Sequence, residues 1–291
     1  MPCYKPLRAY RTAAGSVVFY EMKRHGETTE IQLSCGQCIG CRLERSRQWA
    51  IRIMHESQMH DENCFITLTY NDDKIPEGET LEYRDYQLFM KSLRKKLRTP
   101  VRFFMCGEYG SQTRRPHYHA ILFGHAFRED RYPWKKSNTS QLWRSPTLEQ
   151  LWTHGDSNIG EVTFESAAYV ARYVVDKITG TEAPNHYGNT DPGTGEITFR
   201  LPEFCHMSLK PGIGSTWFNK YRSDVKDGKV VVRGHESNIP KYYKRKLTEE
   251  EQITIQSNLD ESIDYKDQSW RRLEDKEQVA KARNKQLRRT L

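Results

Sequence analysis

Long apolar runs are missing from this sequence of 291 residues. No stretch approaches the ~18 consecutive apolar residues that indicate a membrane-spanning helix, and the mean hydropathy is −0.86. The first residues, Met1–Pro6, have no apolar core of the signal-peptide type. The sequence shows no internal repeat either. We therefore expect a cytoplasmic protein with no membrane partner.

Acidic residues are the minority among the charged ones. Lys and Arg number 46 against 38 Asp and Glu, which gives a formal net charge of +8 at pH 7. Hydrophobic residues make up only 36% of the chain, but 16 Tyr, 11 Phe and 6 Trp argue against wholesale disorder. Because cations bind phosphates and rings stack on unpaired bases, this composition favours a nucleic-acid partner. The charge alone does not exclude a basic protein that has no polyanionic partner.

The cysteines are few, seven in all, and four of them have informative positions. Disulfides are rare in a cytoplasm, so these thiols should be reduced or metal-bound. Cys35, Cys38 and Cys41 are separated by two-residue gaps that contain glycine, a spacing that aims consecutive thiolates at one ion. Cys3 could supply a fourth ligand. The pattern predicts a structural zinc site, with free thiols and an iron–sulfur cluster as the alternatives.

A pair of histidines marks a candidate metal site. Pro116 can begin a strand but not occupy its middle, and the apolar stretch Ala120–Phe123 continues that strand. Side chains at i and i+2 of a strand point to the same face, so His117 and His119 project together. Two imidazoles on one strand supply half of a divalent-metal site.

A carboxylate could complete this site. Glu108 ends the predicted strand that precedes the histidines, and a short loop between the two strands predicts a hairpin. Two histidines and one carboxylate with open positions form a catalytic rather than a structural arrangement. The alternative is that Glu108 is an ordinary loop carboxylate paired with Arg114 or Arg115.

A predicted helix from about Ser166 to Ile178 carries candidate nucleophiles. Tyr169, Tyr173 and Lys177 stand at i, i+4 and i+8 and share one arc, roughly 130° from the apolar stripe of the same helix. A phenol has a pKa of ~10, but a nearby cation and an ammonium favour the phenolate. Attack on a DNA phosphodiester would give a phosphotyrosine and a free 3′-hydroxyl, and a second tyrosine could attack again. The alternative is two surface tyrosines stacked on each other.

Local patterns predict the remaining elements. The predicted segments are short strands and loops over 1–34, helices over 41–59 and 84–97, strands over 65–70, 101–106 and 161–164, a C-cap at Gly180, and a loop over 180–200. From Thr248 an acidic stretch precedes a basic one, which suggests a helical or partly disordered tail. Cations and aromatics also interleave over 210–244, an arrangement that suits either single-stranded DNA or core packing with solvated lysines.

Three motifs in order identify a family. Phe65–Tyr70 forms the first, Pro116–His119 the second with Tyr118 in the slot of a hydrophobic residue, and Tyr169–Lys177 the third. With these, the chain resembles rolling-circle replication initiators of the His-hydrophobe-His endonuclease superfamily. It is most similar to the initiators of gokushovirus-type microviruses, which the stretches Cys35–Arg42, Cys106–Gly110 and Pro211–Gly214 also resemble. The resemblance covers about residues 1–245.

The resemblance implies a fold and a set of partners. The fold would be α+β, with a central antiparallel sheet flanked by helices and an RRM-like split βαβ core. The activity would be Mg²⁺- or Mn²⁺-dependent nicking and joining of one strand at a single-stranded origin through a 5′-phosphotyrosine, in the cytoplasm of a bacterial host. The free 3′-hydroxyl would then prime a host polymerase, and a host helicase would be a further partner. Arg114 and Arg115, beside the metal motif, could hold a phosphate of the scissile strand.

We expect three segments: an N-terminal cysteine-containing segment with a helix over 1–60, the nicking domain with its extension over 61–245, and the charged tail over 246–291. Two other functions stay open. A plasmid-type initiator or mobilisation relaxase would use the same chemistry. A zinc-stabilised DNA-binding protein without catalysis would explain the cysteines and the charge, but not the histidines, Glu108 and the tyrosine helix together.

Overall fold

A computed structural model describes residues 3–20, 27–110, 113–136, 140–176, 182–190, 193–225, 227–261 and 269–286. The described residues form two compact units, one within Met1–Arg45 and Ser262–Thr290 and the other within Ser46–Glu261. The predicted division at residues 60 and 245 differs from these units and stays a prediction. Among the described helices, none combines the length and the apolar character that crossing a bilayer requires.

The described helices are α1 Ile39–Ser57, α2 Tyr83–Leu97, α3 Pro146–Leu151, α4 Phe164–Asp176, α5 Ala183–Tyr187, α6 Ser215–Lys220, α7 Lys241–Lys244, α8 Glu249–Glu261 and α9 Trp270–Gln286. The described strands are β1 Leu7–Thr12, β2 Val17–Val18, β3 Thr28–Leu33, β4 Asn63–Thr69, β5 Arg102–Tyr109, β6 Pro116–Phe123, β7 Tyr132–Lys136, β8 Gln141–Arg144, β9 Ser157–Gly160, β10 Gly188–Thr190, β11 Ile197–Phe199, β12 Phe204–Met207, β13 Lys229–Val232 and β14 His235–Asn238.

The smaller unit is built on a three-stranded antiparallel sheet in the order β2-β1-β3. The short strands expected near the N-terminus are therefore present. The same unit contains α9 and the first residues of α1, up to Arg45.

The larger unit is built on a seven-stranded antiparallel sheet in the order β12-β5-β6-β4-β9-β8-β7. Strand β6 begins at Pro116, as predicted, and pairs with β4 on one side and β5 on the other. The predicted hairpin is β5–β6. The predicted α+β class, with a central antiparallel sheet flanked by helices, is confirmed.

The period of two along each strand divides the sheet into two buried faces. One face, which includes Ile66, Tyr118 and Leu122, packs against the apolar stripe of α2. The opposite face, which includes Phe65 and Ile121, packs with apolar residues of α1 and α4. Strand β6 is therefore covered on both sides, which makes it a rigid support for the histidines near its beginning.

The interleaved cations and aromatics of residues 210–244 contribute aromatics to a third core. Trp217 and Tyr243 are buried, and His55 of α1 stacks on Trp217 with ring centroids 3.5 Å apart. The guanidinium of Arg52 lies 3.8 Å from the ring centroid of Tyr242. The packing interpretation holds for these rings.

Two predictions about the segment around α4 were wrong. Residues 161–164 do not form the predicted strand: the strand of this region is Ser157–Gly160, and α4 begins at Phe164. Thr163 and Ser166 cap this helix reciprocally, because the backbone N–H of each donates to the side-chain oxygen of the other, at 2.8 and 3.1 Å. The predicted loop over 180–200 contains α5, β10 and β11. The predicted cap at Gly180 lies outside the described residues.

Candidate metal and nucleophile site

Strand pairing brings the carboxylate and the two histidines together. Glu108 of β5 stands directly opposite His117 of β6, and His119 points to the same face two residues further on. The Glu108 Oε1 lies 2.7 Å from the Nε2 of His117 and 2.8 Å from the Nε2 of His119. The structure thus joins the three predicted ligands and does not pair Glu108 with Arg114 or Arg115.

A contact at the Nδ1 atom orients each imidazole. The Nδ1 of His117 donates to the backbone oxygen of Arg115 at 3.0 Å, and the Nδ1 of His119 lies 3.0 Å from the Oγ1 of Thr67. Both Nε2 atoms are thereby directed toward the carboxylate. Thr67 belongs to the motif Phe65–Tyr70, but the sequence alone does not indicate its contact with His119. It stands opposite His119 in the β4–β6 ladder, so a correct strand register would identify the contact.

The donor set fits a metal ion. One ligand atom from each of Glu108, His117 and His119 lies within 4.8 Å of the others. Glu108 is only 3% exposed, and its Oε2 is a buried atom without a hydrogen-bond partner among the described residues. A buried carboxylate oxygen without a partner is costly unless a cation or water accompanies it. Two imidazoles and a carboxylate are suitable ligands for a divalent ion.

The three groups influence each other's protonation. Burial disfavours the charged carboxylate of Glu108, but hydrogen bonds from both histidines outweigh it and hold its pKa below the usual value. Burial also disfavours protonated His117, but the bond to Glu108 outweighs it and raises the His117 pKa. For His119 burial prevails, and its pKa is lowered. Of the two imidazoles, His117 is therefore the one that more readily takes the positive charge.

A tyrosine hydroxyl lies at this site. Helix α4 packs Ala167, Val170 and Ala171 into the core beneath it, which leaves Tyr169 half-buried over the histidine strand. The Tyr169 hydroxyl donates to Glu108 Oε1 at 3.3 Å and lies 3.5 Å from the Nε2 of His119. The predicted nucleophile and the predicted ligands therefore share one site.

The other predicted site residues have different positions. Tyr173 lies on α4, within the bounds of the helix, and Lys177 lies outside the described residues. Arg115 donates to the backbone oxygen of Tyr70 at 2.7 Å and pairs with Asp72. Arg114 donates to the backbone oxygen of His186. A DNA-binding role for Arg114 and Arg115 stays a prediction.

The second predicted metal site also assembles. The thiol sulfurs of Cys3, Cys35, Cys38 and Cys41 lie within 4.8 Å of one another. Backbone N–H groups point at the sulfurs, from Cys35 to Cys3 and from Cys38 to Cys35, each at 3.3 Å. Four thiolates at ~2.3 Å from one tetrahedral ion would be about 3.8 Å apart, so the cluster is compact enough for a single ion. An iron–sulfur cluster would separate the sulfurs further, because several irons lie between them.

Comparisons with known proteins give the family. A family model described as replication-associated protein ORF2/G2P matches residues 63–178, the segment from β4 through α4. The replication-associated protein VP4 of Bdellovibrio phage phiMH2K is 34% identical over 253 residues, which cover 84% of this chain and 76% of that protein. The replication-associated protein ORF2 of Spiroplasma virus 4 is 27% identical over 281 residues, with 86% and 81% covered.

A third relative extends the comparison. The replication-associated protein ORF4 of Chlamydia phage 1 is 29% identical over 231 residues, which cover 75% of this chain and 55% of that protein. No solved structure matches the chain. The three motifs and the similarity to the Bdellovibrio phage protein along most of both chains lead to one conclusion: this chain belongs to the phage replication-associated proteins, as a rolling-circle initiator of the gokushovirus type.

Proposed function

We propose that this protein starts and ends rolling-circle replication of a small single-stranded-DNA phage genome by nicking and joining one strand at the origin. The observation that carries the proposal is the Tyr169 hydroxyl, 3.3 Å from the carboxylate that both metal-site histidines contact. A hydroxyl that donates to a buried carboxylate whose other oxygen has no partner among the described residues is an arrangement for catalysis rather than for stability. The partners would be single-stranded origin DNA and the helicase and polymerase of the bacterial host.

The metal would be held by Glu108, His117 and His119. Mg²⁺ or Mn²⁺ suits a site with a carboxylate and open positions. When bound, such an ion offsets the negative charge that develops on a phosphate oxygen. The fixed Nδ1 contacts of both histidines keep their Nε2 atoms available, so the protein supplies the orientation before DNA arrives.

Tyr169 would make the first attack. Its oxygen forms a bond to phosphorus, the bond from phosphorus to the 3′-oxygen breaks, and the proton of the phenol is transferred, in net terms, to that oxygen. The products are a 5′-phosphotyrosine and a 3′-hydroxyl. Tyr173, one turn further along α4, would attack a second phosphodiester when the new strand is released and circularised. Lys177 would favour the phenolate of Tyr173.

The test is a covalent adduct. The full chain is incubated with single-stranded origin DNA and Mn²⁺, and the products are separated under denaturing conditions. We expect a denaturation-resistant adduct for the wild-type protein, no first adduct for Tyr169→Phe, and retention of the first adduct in Tyr173→Phe. Tyr118→Phe is the matched control, because it removes a phenol adjacent to both histidines but on the opposite face of β6.

Three outcomes would contradict parts of the proposal. No adduct with wild type under Mg²⁺ or Mn²⁺ would favour the DNA-binding protein without catalysis. An unchanged rate in Tyr169→Phe would refute Tyr169 as the first nucleophile. An adduct that survives the double change at Tyr169 and Tyr173 would refute the assignment of both.

We also propose that Cys3, Cys35, Cys38 and Cys41 hold one structural zinc ion. The supporting observations are the compact set of sulfurs and the backbone N–H donors aimed at them, which stabilise thiolates around a single ion. Zinc in such a four-thiolate site has no open position, so its contribution would be to folding.

Metal analysis of the purified chain tests this assignment. We expect about one zinc per chain after dialysis against buffer without metal. Cys38→Ser should lose it, and Cys205→Ser, at a half-buried cysteine outside the cluster, should keep it. Cobalt substitution should give the visible absorption bands of a tetrahedral thiolate site. A wild-type chain that contains no zinc and whose four thiols react freely with a thiol reagent would contradict the proposal.

A further inference from the structure

One row of side chains crosses the larger sheet from the metal site to an exposed edge. The strand ladders pair His119 with Thr67, Thr67 with Asn158, and Tyr132 with Arg144. Trp143 pairs with Ile159, which places Arg144 opposite Asn158 in the same antiparallel ladder. Directly opposed residues share a face. The row His119, Thr67, Asn158, Arg144, Tyr132 therefore lies on the face that carries the metal site.

The row is polar, and its members between the ends are partly accessible. Thr67, Asn158 and Arg144 are each half-buried, in contrast to the apolar residues that fill the same face nearer to α4. Neighbouring strands lie ~4.8 Å apart, so four strand intervals give the row a length of about 19 Å. That length matches about five stacked nucleotides at ~3.4 Å each.

The row ends on a strand with exposed aromatic side chains and cations. All five residues of β7 are exposed, and among them Tyr132 is 45% and Trp134 51% exposed. The guanidinium of Arg144 lies 5.5 Å from the Trp134 ring centroid. Lysines on an edge strand are common because they prevent edge-to-edge pairing, which accounts for Lys135 and Lys136. It does not account for two large exposed rings, since apolar rings on an edge favour association.

We propose that β7 and the polar row form a platform for the single-stranded DNA that flanks the scissile phosphate. Tyr132 and Trp134 would stack on bases, and Lys135 and Lys136 would contact backbone phosphates. Rings next to cations on an exposed strand are the combination that binds unpaired nucleic acid without regard to sequence. This inference rests on the proposed nicking function, and it adds the path of the DNA away from the metal site.

Binding without chemistry tests the platform. The probe is a fluorescein-labelled oligothymidylate of about 20 nucleotides, mixed with the full chain in EDTA so that no adduct forms, and followed by fluorescence anisotropy. The double variant Tyr132→Ala with Trp134→Ala should bind at least about 25-fold more weakly, because the loss of each base stack lowers the affinity by at least about fivefold. Tyr132→Phe with Trp134→Phe, which keeps both rings, should stay within about threefold of wild type.

Two further variants sharpen the test. Trp270→Ala removes a tryptophan that is 67% exposed but lies on α9 in the other unit, and its affinity should not change. Lys135→Ala with Lys136→Ala should reduce the slope of log affinity against log salt by about 1.4, because each phosphate contact to a single strand contributes ~0.7. In nicking assays the ring variant should raise KM and leave kcat unchanged, since a uniform binding contact is lost.

The outcomes separate the two proposals. Weaker oligothymidylate binding by the ring variant supports the platform even if no adduct ever forms. Normal adduct formation together with unchanged binding by the ring variant overturns the platform and leaves the nicking function intact. If wild type forms dimers, the ring variant is monomeric and its DNA affinity is unchanged, β7 is an edge for self-association and the platform is refuted.

Discussion

Metal binding at Glu108, His117 and His119 should release close to one proton per ion at mildly acidic pH. The number follows from the three pKa directions. Glu108 has a lowered pKa, which favours its ionised form, and His119 has a lowered pKa, which favours its neutral form. His117, with its pKa above the ordinary 6.5, is the group that carries a proton. An ion that binds its Nε2 must displace that proton.

The number of protons released and the pH dependence of the metal affinity can both be bounded. At about pH 6, a histidine with a pKa of at least 6.5 is more than about three-quarters protonated, so the released fraction should exceed about 0.75. As the pH falls below the His117 pKa, the dissociation constant should rise by up to tenfold per pH unit, or ~1.4 kcal/mol. As the pH rises through that pKa, both effects should disappear.

Isothermal titration with Mn²⁺ in two buffers of different protonation enthalpy measures the released protons directly. Glu108→Gln is the control: it removes both a ligand and the charge that raises the His117 pKa, so affinity and proton release should fall together. A wild-type release near zero at about pH 6, or the same release from wild type and Glu108→Gln, would refute the reasoning. Either result would mean that Mn²⁺ binds elsewhere or that the triad is an ordinary buried ion pair.

Three other predictions concern stability. Tyr118→Phe should lower the free energy of unfolding by about 1–3 kcal/mol in a urea titration, because it leaves buried partners unsatisfied, while adduct formation is retained. Burial lowers the pKa of His55 to about 4. The stability that neutral His55 contributes is therefore present above pH ~6.5 and is lost as the pH falls toward 4. Between pH 8 and pH 5, the free energy of unfolding should fall by about 2 kcal/mol more for wild type than for His55→Gln in the same titration. Gly155→Ala would place a Cβ 2.4 Å from backbone atoms of Thr69 and Asn71, so it should lower the free energy of unfolding by more than about 3 kcal/mol. Gly195 also has a positive φ, but its Cβ would have no atom within 4 Å. Gly195→Ala should therefore lower stability by only about 1 kcal/mol, measured by thermal unfolding. Equal costs for the two glycine variants, or equal pH dependence with and without His55, would contradict the respective argument.

Local sequence patterns predicted the contacts between residues that are close together in the chain. The alternation on β6 and the hairpin that precedes it placed Glu108 against His117, and both depend on residues close in the chain. The i, i+4 spacing placed Tyr169 and Tyr173 on one helix. The predicted strand over 161–164 failed because its apolar residues, Val162 and Phe164, do pack against the core, but from a loop and a capped helix start. Burial alone does not distinguish these from a strand.

Contacts between distant parts of the chain were not predictable. The hydrogen bond between Thr67 and His119 joins residues 52 positions apart and requires the register of β4 against β6. The stack of His55, Trp217 and Tyr243 likewise depends on tertiary packing. From the sequence, Trp217 and Tyr243 suited DNA binding equally well. Nor does composition identify α5, β10 and β11, because short elements in a stretch rich in Gly, Pro and Asn carry little propensity.

The tyrosine in the hydrophobic slot of the metal motif shows how the two faces of β6 cooperate. Tyr118 is fully buried, and its hydroxyl donates to the backbone oxygen of Glu82 at 2.8 Å and accepts from the backbone N–H of Glu82 at 3.0 Å. It also lies 2.9 Å from the Tyr70 hydroxyl, which donates to Asp85. A buried polar network in which each member has a partner restricts motion more than apolar contacts alone, because its bonds are directional. The bonds tie β4 and β6 to the beginning of α2, behind the strand whose opposite face presents His117 and His119. A polar residue in this slot therefore fixes the histidine strand to the beginning of α2 through the face opposite to that of His117 and His119.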